Sequence, residues 1–256
     1  MVEAWEKLEG AGPIVACAVH AGHEVRTEVA ALLALDDATR RREEDPYTGA
    51  WTALAPTRLV VHRSRFEVDL NRSRPQAVYL EPGDAWGLRC WKEPPPEQVV
   101  ETSRRLHDAF YTELEAVLRG VEAGYGRFVV YDLHSYNHRR AGAGARPGEE
   151  PEINLGTGSM DRDRWAPVAD RLLADLTAQP VGGRRLDVRE NVRFKGGYLV
   201  RWIHETFPLT GCGLAIDVKK FFMDEHTGRL DRPRWEEVGR ALAATVPGVL
   251  TELDRC

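Results

Sequence analysis

The sequence predicts an α/β fold, and three observations carry the prediction. Short apolar runs rich in β-branched and aromatic residues, as at Pro13 to His20, Phe128 to Tyr131 and Gly213 to Val218, alternate with amphipathic helical stretches. That alternation implies a parallel or mixed sheet covered on both faces. The 256 residues are 43% hydrophobic and 29% charged, ordinary globular values. A chain of this length buries roughly 70% or more of its unfolded surface, which excludes disordered and fibrous classes. Polar residues collect where two of the runs end, as the functional residues of open α/β sheets do.

The elements follow in order. Pro13 to His20, bounded by Gly12 and Gly22, reads as a buried strand feeding a polar loop. A helix runs through Val25, Val29, Leu32 and Leu33. The charge run from Arg41 to Asp45 ends at Pro46 and reads as a solvated loop. Arg58 to Val61 and Phe66 to Leu70 read as a β pair, and residues 81 to 96, which include Pro82, Gly83, Pro94, Pro95 and Pro96, as a loop or flap. Val99 to Leu118 carry apolar residues at spacings of three and four, a long helix ending near Gly120. The strand from Phe128 leads into Asp132-Leu133-His134-Ser135 at its C-terminal mouth. Gly142 to Pro151 is a loop by composition, and its Gly-x-Gly lacks the strand and helix of a dinucleotide fingerprint. A helix over Arg164 to Leu176, a strand near Leu186 to Arg189, the turn Lys195-Gly196-Gly197-Tyr198 and a strand from Gly213 to Val218 come next. A closing helix from Trp235 to Leu253 is kinked at Pro247. We expect one domain over residues 1–256.

Charge limits the partners. Lys and Arg number 35 against 40 acidic residues, a net charge of −5, so no overall positive field attracts nucleic acid. Arginines cluster locally at Arg63, Arg65, Arg72 and Arg74, which suits one small anion. No run approaches the ~20 apolar residues of a membrane span, and the N-terminus lacks the order of a signal peptide. The expected location is the cytoplasm. Cys17, Cys90, Cys212 and Cys256 are scattered without a Cys-x-x-Cys and read as buried or incidental thiols.

Chemistry collects at His20-Ala21-Gly22-His23-Glu24 and at His134. Neutral imidazoles and carboxylates are natural zinc ligands, and a catalytic zinc takes about three of them with a position left open for water. An isolated histidine is more often a hydrogen-bonded core residue. What lifts this pair is a second histidine at another strand end, together with the acid run Glu43-Glu44-Asp45 as a carboxylate source. No Gly-x-Ser-x-Gly nucleophile elbow exists.

Read jointly, His20, Val68-Asp69-Leu70-Asn71-Arg72, Asp132-Leu133-His134-Ser135 and Phe194-Lys195-Gly196-Gly197-Tyr198 resemble the N-formylglutamate amidohydrolase family, in order and over most of the chain. The resemblance implies a three-layer α/β/α domain of the zinc-exopeptidase type with a mixed, mostly parallel sheet, similar to zinc carboxypeptidases and aspartoacylases. It implies metal-dependent hydrolysis, with Zn2+ or another divalent ion, of the amide of an N-acyl amino acid bearing a free carboxylate. By this resemblance the ligands are His20, His134 and a carboxylate of the acid run, Glu44 first and Asp45 as the alternative, with His23 an additional ligand, substrate contact or hydrogen-bond partner. Asn71 and Arg72 look like a carboxylate clamp, since a guanidinium grips a carboxylate bidentately. Arg65 and Lys195 are further substrate-binding candidates.

Where the family presents a glutamate late in the chain, this sequence has Ile216-Asp217-Val218. Asp217 is the candidate general base and acid, and Glu225 the nearest substitute. An acid flanked by apolar residues on a strand is expensive to bury without a use. The alternatives are a zinc carboxypeptidase or deacylase on a peptide or modified amino acid, and a metal-free amino-acid binding protein on the same fold.

Overall fold

A computed structural model describes residues 3–139 and 150–256. Along the chain they form β1 (Trp5–Leu8), β2 (Ile14–Ala18), α1 (Thr27–Leu32), α2 (Asp37–Glu43), α3 (Thr48–Trp51), β3 (Thr57–Val61), α4 (Glu97–Tyr125) and β4 (Phe128–Tyr136). Then come β5 (Ile153–Gly156), α5 (Arg162–Ala178), a small hairpin of β6 (Pro180–Val181) and β7 (Arg184–Arg185), β8 (Val188–Glu190), α6 (Tyr198–Thr206), β9 (Gly211–Lys219) and α7 (Arg232–Leu253).

Seven strands make one sheet in the order β1-β3-β2-β4-β9-β5-β8. β3, β2, β4 and β9 run parallel, β1 lies antiparallel on β3, and β5 with β8 runs against β9. The sheet is mixed and mostly parallel, as expected. Because side chains alternate along a strand, Ile14, Ala16, Val129, Tyr131, Leu214 and Ile216 pack on one face with α5 and α7. Val15, Cys17, Val130 and Ala215 pack on the other with α4 and α6. The result is three layers, α/β/α. β2, β4 and β9 reach one edge of the sheet by their C-terminal ends, and β5 reaches it by its start.

Several elements depart from expectation. The charge run is no solvated loop: it closes α2, and Glu43, Glu44 and Asp45 are all buried. The three carboxylates are met by partners inside the fold rather than by water, while Arg41 stays exposed. Phe66, Val68 and Leu70 are buried, yet the segment is turned, not extended, with Val68 N bonded back to Ser64 O at 3.2 Å. Alternating apolarity there recorded burial without a strand. α4 runs past Gly120 and ends where Gly126 takes φ +76°, a conformation glycine adopts without strain. α7 continues through Pro247.

β1, β5 and α6 carry too short or too mixed a pattern to be read from sequence. β5 has four residues, and α6 is full of aromatic and β-branched side chains. All four cysteines are free, three of them buried. Residues 142–149 of the glycine-rich stretch lie outside the described residues. Among the described residues no helix is long and apolar enough to cross a membrane.

Candidate metal and substrate site

His20 follows β2 and His134 lies near the end of β4, so two parallel strands deliver imidazoles to one edge of the sheet. The carboxylate that meets them is Asp45. Its Oδ2 lies 3.0 Å from His134 Nδ1 and 3.5 Å from His20 Nδ1. One atom from each of the three residues falls within 4.8 Å of the others, and all three side chains are buried. The outward nitrogens are backed by further carboxylates: His20 Nε2 is 2.7 Å from Asp69 Oδ1, and His134 Nε2 is 2.9 Å from Asp132 Oδ1. Among the described residues, neither oxygen of the buried Asp132 receives a well-aligned hydrogen bond. Imidazoles backed in this way have their metal-facing nitrogen fixed by the outer partner.

Asp45 is held by its own backbone and by a lysine. Its N–H donates to His20 O at 2.9 Å. Lys220 Nζ donates to the carbonyls of Arg42 and Glu44 at 2.6 and 2.7 Å, closing the end of α2, and to Asn137 Oδ1 at 2.9 Å. Burial lowers the Lys220 ammonium to about 8 despite the attraction of nearby acids. Burial works against a charged Asp45, but hydrogen bonds from His134 and His20 overcome it and hold the carboxyl well below its ordinary value. Burial likewise opposes a charged His134, and Asp132 with Asp45 reverses the sign, raising it.

Asp69 forms the second layer. It receives hydrogen bonds from Tyr79 OH and from Arg65 Nη2, the latter at 3.0 Å, and its Oδ1 accepts Asn71 N at 2.8 Å. Burial disfavours its charge, but the attraction of Arg65 and the contacts with His20 and Tyr79 lower it well below the ordinary carboxylate range. Arg65 also donates to Tyr79 OH at 2.9 Å and lies 4.8 Å from the Trp86 ring centroid. Asn71 sits beneath α6: its Oδ1 accepts Leu199 N at 2.9 Å, and its carbonyl accepts Tyr198 N at 3.0 Å. A Cβ at Gly197 would fall 2.3 Å from that amide, so the close approach requires glycine.

Above these groups lies a cavity of about 350 Å³ lined by His20, Asp45, His134, Asp217, Asn71 and Arg65, with Trp86, Arg193 and Phe194 among its other walls. Asp217 enters from β9. Burial raises its carboxyl to about 7, against the attraction of His134, and Asp132 and Asp45 push it in the same direction as burial. A carboxyl poised near neutrality beside two imidazoles and a second carboxylate can move a proton.

The other expected residues are elsewhere. Glu44, first choice for the carboxylate, turns to His23 Nδ1 at 2.6 Å and receives Ser64 Oγ, so Asp45 takes the place beside the histidines. His23 faces Glu44 and Arg40 and lines a separate groove beside His62. Arg72 is outside the cavity lining: its Nη2 donates to Asp84 O at 2.8 Å and its guanidinium lies over the Tyr79 ring. Lys195 is exposed, and its carbonyl accepts Gly158 N at 2.7 Å. Glu225 accepts the N–H groups of His138 and Arg139 at 2.8 and 2.9 Å and an Arg42 donor at 3.1 Å, and is also outside the lining.

Asp69, Asp132, Asn154, Lys220 and Arg193 were given no role from sequence. Asp69 and Asp132 carried the signal that picked out Asp217, an acid between apolar neighbours; Asn154 likewise stands between Ile153 and Leu155.

A family model described as N-formylglutamate amidohydrolase matches residues 12–211. The crystal structure of an N-formylglutamate amidohydrolase from Ralstonia eutropha JMP134 superposes with a TM-score of 0.76 at 18% identity over 99% of each chain. A gene product from Agrobacterium tumefaciens superposes with a TM-score of 0.74 at 18% identity, covering 99% of this chain and 97% of that one. At those identities the two structures establish the shared fold. No curated protein matches in sequence. With its family model spanning most of the sequence, the chain belongs to the N-formylglutamate amidohydrolase family.

Proposed function

We propose that the chain hydrolyses the amide bond of an N-acyl amino acid, N-formyl or similar, that carries a free carboxylate, and that it does so with a divalent ion, zinc first. The observation that carries this reading is the convergence of both Nδ1 atoms on Asp45, with a carboxylate behind each Nε2. That donor set, two imidazoles and one carboxylate, buried and backed, suits zinc in a catalytic rather than a closed structural site. His20, Asp45 and His134 would hold the ion, which supplies Lewis acidity toward the amide carbonyl and toward water.

The rest falls to the chain. Asp217 accepts a proton from the attacking water and returns it to the departing amine nitrogen, general base and then general acid. Asp69 and Asp132 keep the two imidazoles oriented. Arg65 and Asn71 on one wall and Arg193 on another offer the donors for the substrate carboxylate. The test is formate release from N-formyl amino acids by protein stripped of metal and then given back Zn2+. Turnover that returns with the ion supports the reading. Equal turnover without any ion removes the metal from it, and no turnover on any N-formyl amino acid overturns it.

A further inference from the structure

Asn154 is fully buried on β5 and stands opposite Asp217 in the antiparallel β5–β9 ladder. Its amide is spent in two directions. Oδ1 accepts the N–H groups of Val192, Arg193 and Phe194 at 3.0, 2.8 and 3.4 Å. Nδ2 donates to Phe194 O at 2.9 Å and to Asp217 Oδ2 at 3.4 Å. A primary amide has two donors and two lone pairs, and here all four are engaged.

The loop it holds is the one that brings Arg193 and Phe194 to the cavity wall. Both remain open, Arg193 with 41% of its side chain exposed and Phe194 with 37% of its surface. The guanidinium lies 5.6 Å from the ring centroid, and one edge of it meets Glu150 at 3.3 Å. β5 also pins the ends of this loop: Asn191 N donates to Leu155 O at 2.9 Å, and a Cβ on Gly156 would lie 2.3 Å from Gly196 N.

We propose that Asn154 is a positioning residue that joins substrate capture to proton transfer: one amide fixes the loop offering Arg193 to the substrate carboxylate and binds Oδ2 of Asp217, leaving Oδ1 for the proton. This rests on the reading of the site as an amidohydrolase centre. A buried amide with a purely structural task would secure the loop alone. The Asn154–Asp217 contact adds a second, separable effect.

The experiment compares Asn154→Asp, Asn154→Leu and Asn191→Gly with the wild type on an N-formyl amino acid. Asn191 secures the same loop through Thr157 N at 2.9 Å without touching Asp217, and its φ of +56° suits glycine. Asn191→Gly should raise KM severalfold and leave kcat within about twofold. Asn154→Asp keeps the acceptor for residues 192 and 193 but loses the donors, so kcat should fall by about tenfold or more while KM moves little. Asn154→Leu should lose both.

Two further measurements on metal-free protein need no turnover. Amide exchange at 192 and 193 should stay slow in Asn154→Asp and become fast in Asn154→Leu. The Asp217 carboxyl ¹³C shift should move in both Asn154 variants and not in Asn191→Gly. An Asn154→Asp protein with the same KM-only profile as Asn191→Gly, or with an unmoved Asp217 resonance, overturns the coupling. If the wild type turns over no N-formyl amino acid, the proposed activity falls, while exchange and the carboxyl shift still decide for or against the tether.

Discussion

His134 and Asp217 are direct partners across the parallel β4–β9 ladder. With Asn154 on the next strand, three adjacent strands place an imidazole, a carboxyl and an amide in one row at the edge of the sheet. Rows of this kind are held by backbone hydrogen bonds and do not depend on loop packing, so the spacing between His134 and Asp217 is as rigid as the sheet.

The ligand carboxylate is therefore testable against its neighbour. Asp45→Asn should purify with most of its metal lost, whereas Glu44→Gln should retain the metal and show a lower melting temperature, because it weakens the pair with buried Glu44 that His23 makes. Metal content by mass spectrometry decides. Equal metal in both proteins would move the site.

Asp217 and Glu225 separate in the same way. Asp217→Asn keeps size and hydrogen bonding and should reduce kcat by about 10²-fold or more with metal content unchanged. Glu225→Ala strands the N–H groups of His138 and Arg139 and should cost stability, about 1–3 kcal/mol in denaturant unfolding, with kcat of the folded fraction retained. The reverse pattern would give the base to Glu225.

Arg65 and Arg72 differ in what each holds. Arg65→Lys removes the fork that joins Tyr79 and Asp69 behind His20, and should lower kcat/KM by about tenfold or more. Arg72→Lys should change it by less than about threefold, since Arg72 lies outside the cavity. Steady-state kinetics on one N-formyl amino acid checks both; a larger loss for Arg72→Lys would return the carboxylate clamp to that residue.

Stability should fall on mild acidification because of His204, far from the chemistry. Its Nε2 accepts Gly213 N at 3.0 Å and its Nδ1 meets Ser159 Oγ at 2.9 Å, and burial lowers it from 6.5 to about 4. The folded state favours the neutral ring. This contribution is fully present above pH 6.5 and is lost as pH falls toward 4, where the unfolded chain binds the extra proton. Melting temperatures across pH 4 to 7 should flatten in His204→Gln relative to wild type; parallel curves would refute the assignment.

Much of this was legible in the sequence where a residue's chemistry and its strand position coincide. His20 and His134 stand after apolar β-branched runs, and Asp217 is an acid among Ile216 and Val218, so burial and function point to one place. Asp45 was harder. Three consecutive acids look solvated, and the choice among them depends on how α2 is closed by Lys220, which is 175 residues away in sequence. Arg72 and Arg65 cannot be told apart by composition, because the turn between them decides which guanidinium faces inward. β5 was invisible because four residues have no period to read.

That brevity has a consequence for how the sheet is aligned. β5 runs against β9 with only Ile153–Gly156 in register, so few backbone bonds specify which residue faces Asp217. A slip of two residues would preserve which side chains point to the core yet bring Glu152 or Gly156 to that place. Asn154 would then be buried among apolar groups with its donors and acceptors unmet, at the full desolvation cost. The amide thus serves as a registration mark. It makes the one alignment that satisfies it the one in which the edge of the sheet is complete, and a short strand acquires the precision of a long one.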